Sequence, residues 1–170
     1  TADVSKAGDD RTPAWRWIGC LWNDETRVVI PQDALRRCLI DSAQKMKTAK
    51  GSLKKTIAGQ ITLATMAAPL IVRGKEIPLA PILELSGEPQ FSAHKAAVKA
   101  MGFDLMVKRA AVQRSKHVRV RPIFAGWSVA FDFDVFDTSA VSLTVVEDLV
   151  SIAGQSVGLG DWRPGAPMSP

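Results

Sequence analysis

Hydrophobic residues follow two different periods along this chain, and the change of period marks out its elements. Trp127, Val129, Phe131, Phe133 and Val135 alternate with Ser128, Ala130, Asp132 and Asp134, which predicts a half-buried strand. Just before it, Val118, Val120 and Phe124 point one way and His117, Arg119 and Arg121 the other, so Val112 to Phe124 reads as a second strand. Pro122 within it predicts an edge or a bulge. The short link at Ala125-Gly126 predicts that the two strands pair as an antiparallel hairpin.

A helical period appears elsewhere. Leu35, Cys38, Leu39, Ser42 and Met46 share one face behind Pro31, a residue suited to the first turn of a helix. Val146, Leu149, Val150 and Ala153 form the apolar face of another helix, with Thr144 and Glu147 at capping-box spacing and Gly154 as its stop. Ala14 to Trp22 is apolar on both alternating faces and reads as a central strand. Asn23-Asp24-Glu25 turns the chain, and Arg27 to Ile30 forms a short β stretch. Ile57 to Val72 reads as one or two strands weakened by Gly59. Pro69, Pro78, Pro81 and Pro89 then punctuate an irregular middle, and Ser92 to Met101 predicts a short helix closed by Gly102.

With the middle set aside, the order is β-α-β-β-α-β. The expected fold class is therefore α+β, a ferredoxin-like antiparallel sheet with two helices on one face and an inserted middle segment. The expected organisation is a flexible arm at 1–13, a single domain at 14–165 with the insertion at about 48–105, and a Pro-rich tail at 166–170.

Composition narrows the class. The 170 residues are 46% hydrophobic, enough for a real core. The longest apolar run, Ile61 to Val72, is interrupted by Thr62, Thr65 and Pro69 and falls short of the ~18 residues of a membrane span. Cys20 and Cys38 have no metal-binding spacing, and with no targeting segment a reduced cytoplasmic setting is expected. The formal charge is +5, and its distribution is more informative than its total. Lys45 to Lys55 and Leu105 to Arg121 contain no acid, whereas Asp132, Asp134, Asp137, Glu147 and Asp148 occupy one stretch without a base. Such segregation creates a positive region able to attract a polyanion.

Two features carry candidate chemistry. The row His117, Arg119, Arg121 puts three basic residues on one strand face, which suits contacts to a nucleic-acid backbone. Its alternative is internal neutralisation, with Asp132 and Asp134 as cross-strand partners of Arg119 and Arg121. The second feature is Val157 to Gly165, where Gly158, Gly160 and Gly165 leave backbone N–H groups unobstructed beside Trp162 and Arg163; a simple turn is the competing reading. His94 and His117 read as solvated surface residues, Asp132, Asp134 and Asp137 as a solvated or ion-paired face, and Trp127 as core. No nucleophile–base pair, metal-ligand set or cofactor motif is evident.

Ile30 to Leu39 resembles the I-P-x-x-x-L-[KR] start of the first helix in the RAMP superfamily, the RNA-binding subunits and nucleases of CRISPR systems. Val157 to Gly165 resembles that family's glycine-rich loop. The resemblance implies a non-catalytic protein that binds single-stranded RNA, or single-stranded DNA, as one of several repeated protomers. On this reading Arg36, Arg37, Lys54, Lys55, Arg119, Arg121 and Arg163 meet phosphates, Gly158 and Gly160 shape the loop, and Trp162 stacks on a base. Partners are single-stranded nucleic acid and other copies or subunits, with no membrane. The alternative is a structural or assembly protein, for instance of a phage particle.

Overall fold

A computed structural model describes residues 14–48, 51–112 and 115–160, with backbone alone at 14, 15, 108–112 and 115–119. The chain is a mixed α+β protein with small antiparallel sheets. In chain order it forms a 3-10 helix (Ala14–Cys20), β1 (Val29–Pro31), α1 (Gln32–Lys45), β2 (Lys47–Thr48), β3 (Gly51–Ser52), α2 (Lys54–Gln60), β4 (Ile61–Leu63), β5 (Ala67–Pro69), β6 (Ile71–Val72) and β7 (Lys75–Glu76). There follow α3 (Ala80–Leu83), α4 (Phe91–Ala100), β8 (Asp104–Val112), β9 (Ser115–Ile123), β10 (Trp127–Ser128), β11 (Phe133–Val135), α5 (Leu143–Ile152) and a π-helical turn (Ala153–Val157). Among the described residues the largest sheet has three strands, β10-β6-β7; β1 with β5, β11 with β4, β2 with β3 and β8 with β9 pair as twos. No helix among them is long and apolar enough to cross a membrane. The described residues gather into two compact units, one drawn from 14–29 and 69–129, the other from 30–68 and 130–160.

In the first unit, Ala14–Cys20 is helical rather than a strand. Trp17, Ile18 and Leu21 are buried while Cys20 is exposed. That is i, i+1, i+4 spacing, which a short apolar run hides from an alternation test. The turn at Asn23-Asp24-Glu25 forms as expected: Glu25 adopts φ 74° and Asn23 bridges to Val28. The Asp24 carboxylate accepts from the N–H groups of Thr26 and Arg27 and from the Thr26 hydroxyl at 2.7 Å. Arg27 then ties the turn to β7 through Glu76 at 2.8 Å. The helix predicted at Ser92–Met101 is α4, starting one residue earlier, with Gly102 closing it at φ 97°.

Two expectations in this unit are corrected. The strand ending at Phe124 pairs not with 127–135 but with β8, from Asp104↔Ile123 to Val112↔Ser115 without a break. Pro122 therefore sits in an edge strand of a two-stranded ribbon and not at a bulge. His94, read as a surface residue, is completely buried. The Trp17 indole N–H donates to its Nδ1 at 3.1 Å, and its Nε2 lies 2.8 Å from the Glu88 carbonyl. With Nδ1 accepting, Nε2 carries the proton and donates to Glu88. Phe103 packs edge-on against Trp17 and stacks, tilted, on Phe124.

In the second unit α1 buries Leu35, Cys38, Leu39, Ser42 and Ala43, so the predicted face is largely realised. Pro31 stands at the N-cap. On the exposed side of α1, Arg37 pairs with Asp41 at 3.3 Å. Ile57 to Gln60, expected as the start of a strand, belongs instead to α2, because Leu53, Ile57 and Ile61 repeat every fourth residue and all pack into the core. That core joins Cys38, Leu39, Ala43, Ile57, Ile61, Val141, Leu149, Ala153 and Val157, with Phe131 and Phe133 packed partly against it. The segment from Ser128 to Val135 keeps its predicted alternation, odd positions half-buried and even ones exposed. It is not one strand, however. β10 pairs with β6, and β11 pairs with β4 through Phe133↔Leu63 and Val135↔Ile61. Alternation reports which face is covered, not which strand lies beside it. The cap of α5 is Ser142, whose hydroxyl accepts from the Val145 N–H, and not Thr144. Gly154 does not stop the chain's helical course; the π turn carries it on to Gly158.

Candidate nucleic-acid interface

Each strand of the β8–β9 ribbon is nine residues long, so the ribbon runs for roughly 27 Å at ~3.4 Å per residue. Residues directly opposite in an antiparallel pair share a face. The register places Lys108 opposite Arg119, Met106 opposite Arg121 and Ala110 opposite His117. Four basic positions from two strands therefore fall on one face, on three consecutive rungs of that face, about 6.8 Å apart. The segment has no acid between Leu105 and Phe131. At the root the ribbon is fixed by burial of Leu105 and Val120 on the other face. An isolated two-stranded ribbon is marginal in water, so this anchorage holds the basic face in place.

Arg121 is half-buried at that root, and its Nη1 donates to the Cys20 thiol at 2.8 Å. The competing idea of cross-strand neutralisation by Asp132 and Asp134 does not have the required register. The partners of Arg119 and Arg121 are Lys108 and Met106, and that of Asp134 is Thr62. Asp132 and Asp134 are both exposed in the second unit.

The second unit carries its own basic surface on α1 and α2. Arg36 and Arg37 are exposed on α1; the former donates to the Ala58 carbonyl at 3.1 Å and the latter pairs with Asp41. On α2, Lys54 reaches the Gln44 side chain at 3.2 Å and Lys55 is exposed. The i, i+1 step from Arg36 to Arg37 and from Lys54 to Lys55 follows from the apolar face being taken by Leu35 and Ile57.

The glycine loop begins where expected. Gly158 adopts φ 71°, ψ 179° and Gly160 φ 84°, while Leu159 between them packs partly against the core. Both glycines thus hold backbone conformations that a side chain resists. The π turn before them has its carbonyls engaged: Gly158 N–H donates to the Ala153 carbonyl at 2.7 Å, Lys45 to that of Ser156 at 2.8 Å, and the Cys38 thiol lies against those of Ala153 and Gly158. Trp162, Arg163 and Gly165 lie outside the described residues.

Tryptophan placement departs from the sequence reading. Trp127, expected in the core, is 41% exposed on β10, and Trp22 is 44% exposed just after Leu21. The strand alternation could not separate these from buried positions, because an aromatic at the end of a strand has no following rung to cover it. Among the described residues no three His, Cys, Asp or Glu side chains gather as a metal site would need. No protein-family model matches this chain, and neither a curated protein nor a solved structure does so.

Proposed function

We propose that this is a non-catalytic, RAMP-like protein that binds single-stranded nucleic acid, RNA in preference to DNA, with the β8–β9 ribbon as its main contact surface. The observation that carries the reading is the register of that ribbon, which sets Lys108 against Arg119 on the face of Arg121 and His117. A folded protein places cations side by side across a ladder at an electrostatic cost, and a bound polyanion removes that cost by neutralising both. The exposed Arg36, Arg37, Lys54 and Lys55 add phosphate contacts from the second unit, and the loop at Gly158 and Gly160 adds backbone donors in the manner of the family it resembles.

The partner protein surface is best matched by the second unit. Phe136 and Leu143 are 68% and 74% exposed, and Val150, seven residues along α5 from Leu143, is 44% exposed. Apolar groups at this spacing lie on one side of a helix, which favours contacts to other copies or subunits, the arrangement a repeated protomer needs.

The test is equilibrium binding of a single-stranded RNA oligonucleotide across a salt series. Binding that weakens steeply with salt, and a double change Arg119→Glu, Arg121→Glu that removes it while the protein stays folded, is the expected result. Salt-indifferent or absent binding at low ionic strength contradicts the proposal.

A further inference from the structure

We infer that Trp22 is the base-stacking residue of this interface, working beside Arg121 at the root of the ribbon; the inference rests on the nucleic-acid reading above. Arg121 closes the row of basic positions on the ribbon face, two residues from Arg119 and so about 6.8 Å along the strand. Its guanidinium donates to the Cys20 thiol at 2.8 Å, which ties the end of the basic row to the end of the 3-10 helix. Trp22 follows Cys20 by two residues, so their Cα atoms lie within ~7 Å. An indole with almost half its surface in water thus stands two residues along the chain from the thiol that receives the last cation of the row.

The backbone under Trp22 is fixed, which a stacking platform requires. Leu21 before it is buried and its N–H donates to the Ile18 carbonyl at 3.1 Å. The Trp22 carbonyl accepts from the Val29 N–H at 2.9 Å, and Asn23 bridges to Val28. The neighbouring turn is braced by Asp24 and Arg27. An exposed aromatic on a mobile loop would lose conformational entropy on binding; this one has little left to lose. Every base presents a π face, so such a seat is tolerant of sequence but needs the base unpaired. It therefore selects single strands over duplexes, and it supplies affinity that is not electrostatic.

That last property gives the test. Charge contacts set the slope of log K against log salt, whereas stacking shifts the line without changing its slope. The full chain and the variants Trp22→Ala and Trp22→Phe are titrated across a salt series with a labelled oligothymidylate and with an abasic oligonucleotide of the same length. For Trp22→Ala, oligothymidylate binding is expected to weaken about ten-fold or more at an unchanged slope, abasic binding to stay as in the unaltered chain, and Trp22→Phe to retain most of the affinity. A Trp22→Ala protein that binds oligothymidylate as tightly as the unaltered chain overturns the inference and leaves the nucleic-acid reading standing. So does an equal loss for both probes, since that loss does not involve bases. Trp22→Phe keeps the question open to measurement if the alanine variant does not fold: a phenylalanine variant that discriminates against the abasic probe no more than Arg121 alone can, with the two probes binding alike, also overturns it. An unaltered chain that binds neither probe nor a single-stranded RNA oligonucleotide at low salt overturns the nucleic-acid reading and the inference with it.

Discussion

His94 shows how much a single buried polar side chain can constrain. It joins three pieces of the first unit through Trp17, 77 residues away in sequence, and through the Glu88 carbonyl. Replacing it by Leu leaves the buried Trp17 N–H and the partly buried Glu88 carbonyl without this partner, at about 1–3 kcal/mol each. We expect His94→Leu to lower stability by roughly 2–5 kcal/mol in urea unfolding; a variant as stable as the parent would show that neither hydrogen bond matters. Asp24 makes a second prediction. Its carboxyl is held well below the usual carboxylate range, chiefly by the Thr26 hydroxyl and then by the N–H groups of Arg27 and Thr26 and the Arg27 guanidinium. A folded-state value below the unfolded one means stability that is present above the ordinary carboxylate value of ~3.9 and is lost as pH falls below it. Asp137, lowered mainly by the Ser139 hydroxyl, acts in the same direction. The melting temperature of Asp24→Asn should thus lie below that of the unaltered chain at pH 7 and converge with it below about pH 4. A gap that is constant with pH would contradict the assignment.

At the scale of elements, what the sequence makes legible is periodic and local. The face of α1 follows from Leu35, Cys38, Leu39 and Ser42, and positive φ at Gly158 and Gly160 follows from a chain that must leave a helical segment sharply. The alternation from Ser128 to Val135 is also present, yet the partner strands are β6 and β4, more than fifty residues earlier. Nothing in a period of two names its neighbour. β8 has no alternation of its own, since Lys108, Arg109, Ala110 and Ala111 interrupt it, and so the true mate of β9 stays hidden until the register is seen. The 3-10 helix and α2 are misread as strands for a related reason: both are short, and their i, i+4 pattern spans barely one repeat. The glycine loop gives the prediction that belongs here. At φ 71°, ψ 179° Gly158 occupies a region closed to other residues, so Gly158→Ala should cost about 1–3 kcal/mol in thermal unfolding. An unchanged melting curve would mean that the turn accepts other geometries.

At the scale of the whole molecule, the chain crosses between two units three times, after residues 29, 68 and 129. Each unit is closed by segments distant in sequence, which is why the mixed α+β class is legible in the chain while the pairing of its small antiparallel sheets is not. Each unit carries a basic surface: the ribbon in one, α1 and α2 in the other. The acid-free stretch Leu105 to Arg121 lies in the ribbon, and Lys45 to Lys55 supplies Lys54 and Lys55 of the second surface. If subunit contacts form through Phe136, Leu143 and Val150, Leu143→Glu should lower the sedimentation mass of the protein to that of a monomer; a mass unaffected by the change would remove α5 from the assembly surface. The most direct test of the central claim is the salt dependence of RNA oligonucleotide binding, measured for the unaltered chain and for Arg119→Glu, Arg121→Glu. Each phosphate neutralised on a single strand contributes about 0.7 to the slope of log K against log salt. The account predicts a slope reflecting several phosphates in the unaltered chain and loss of binding in a double variant that remains folded. A double variant that binds with the same affinity and the same slope would contradict it.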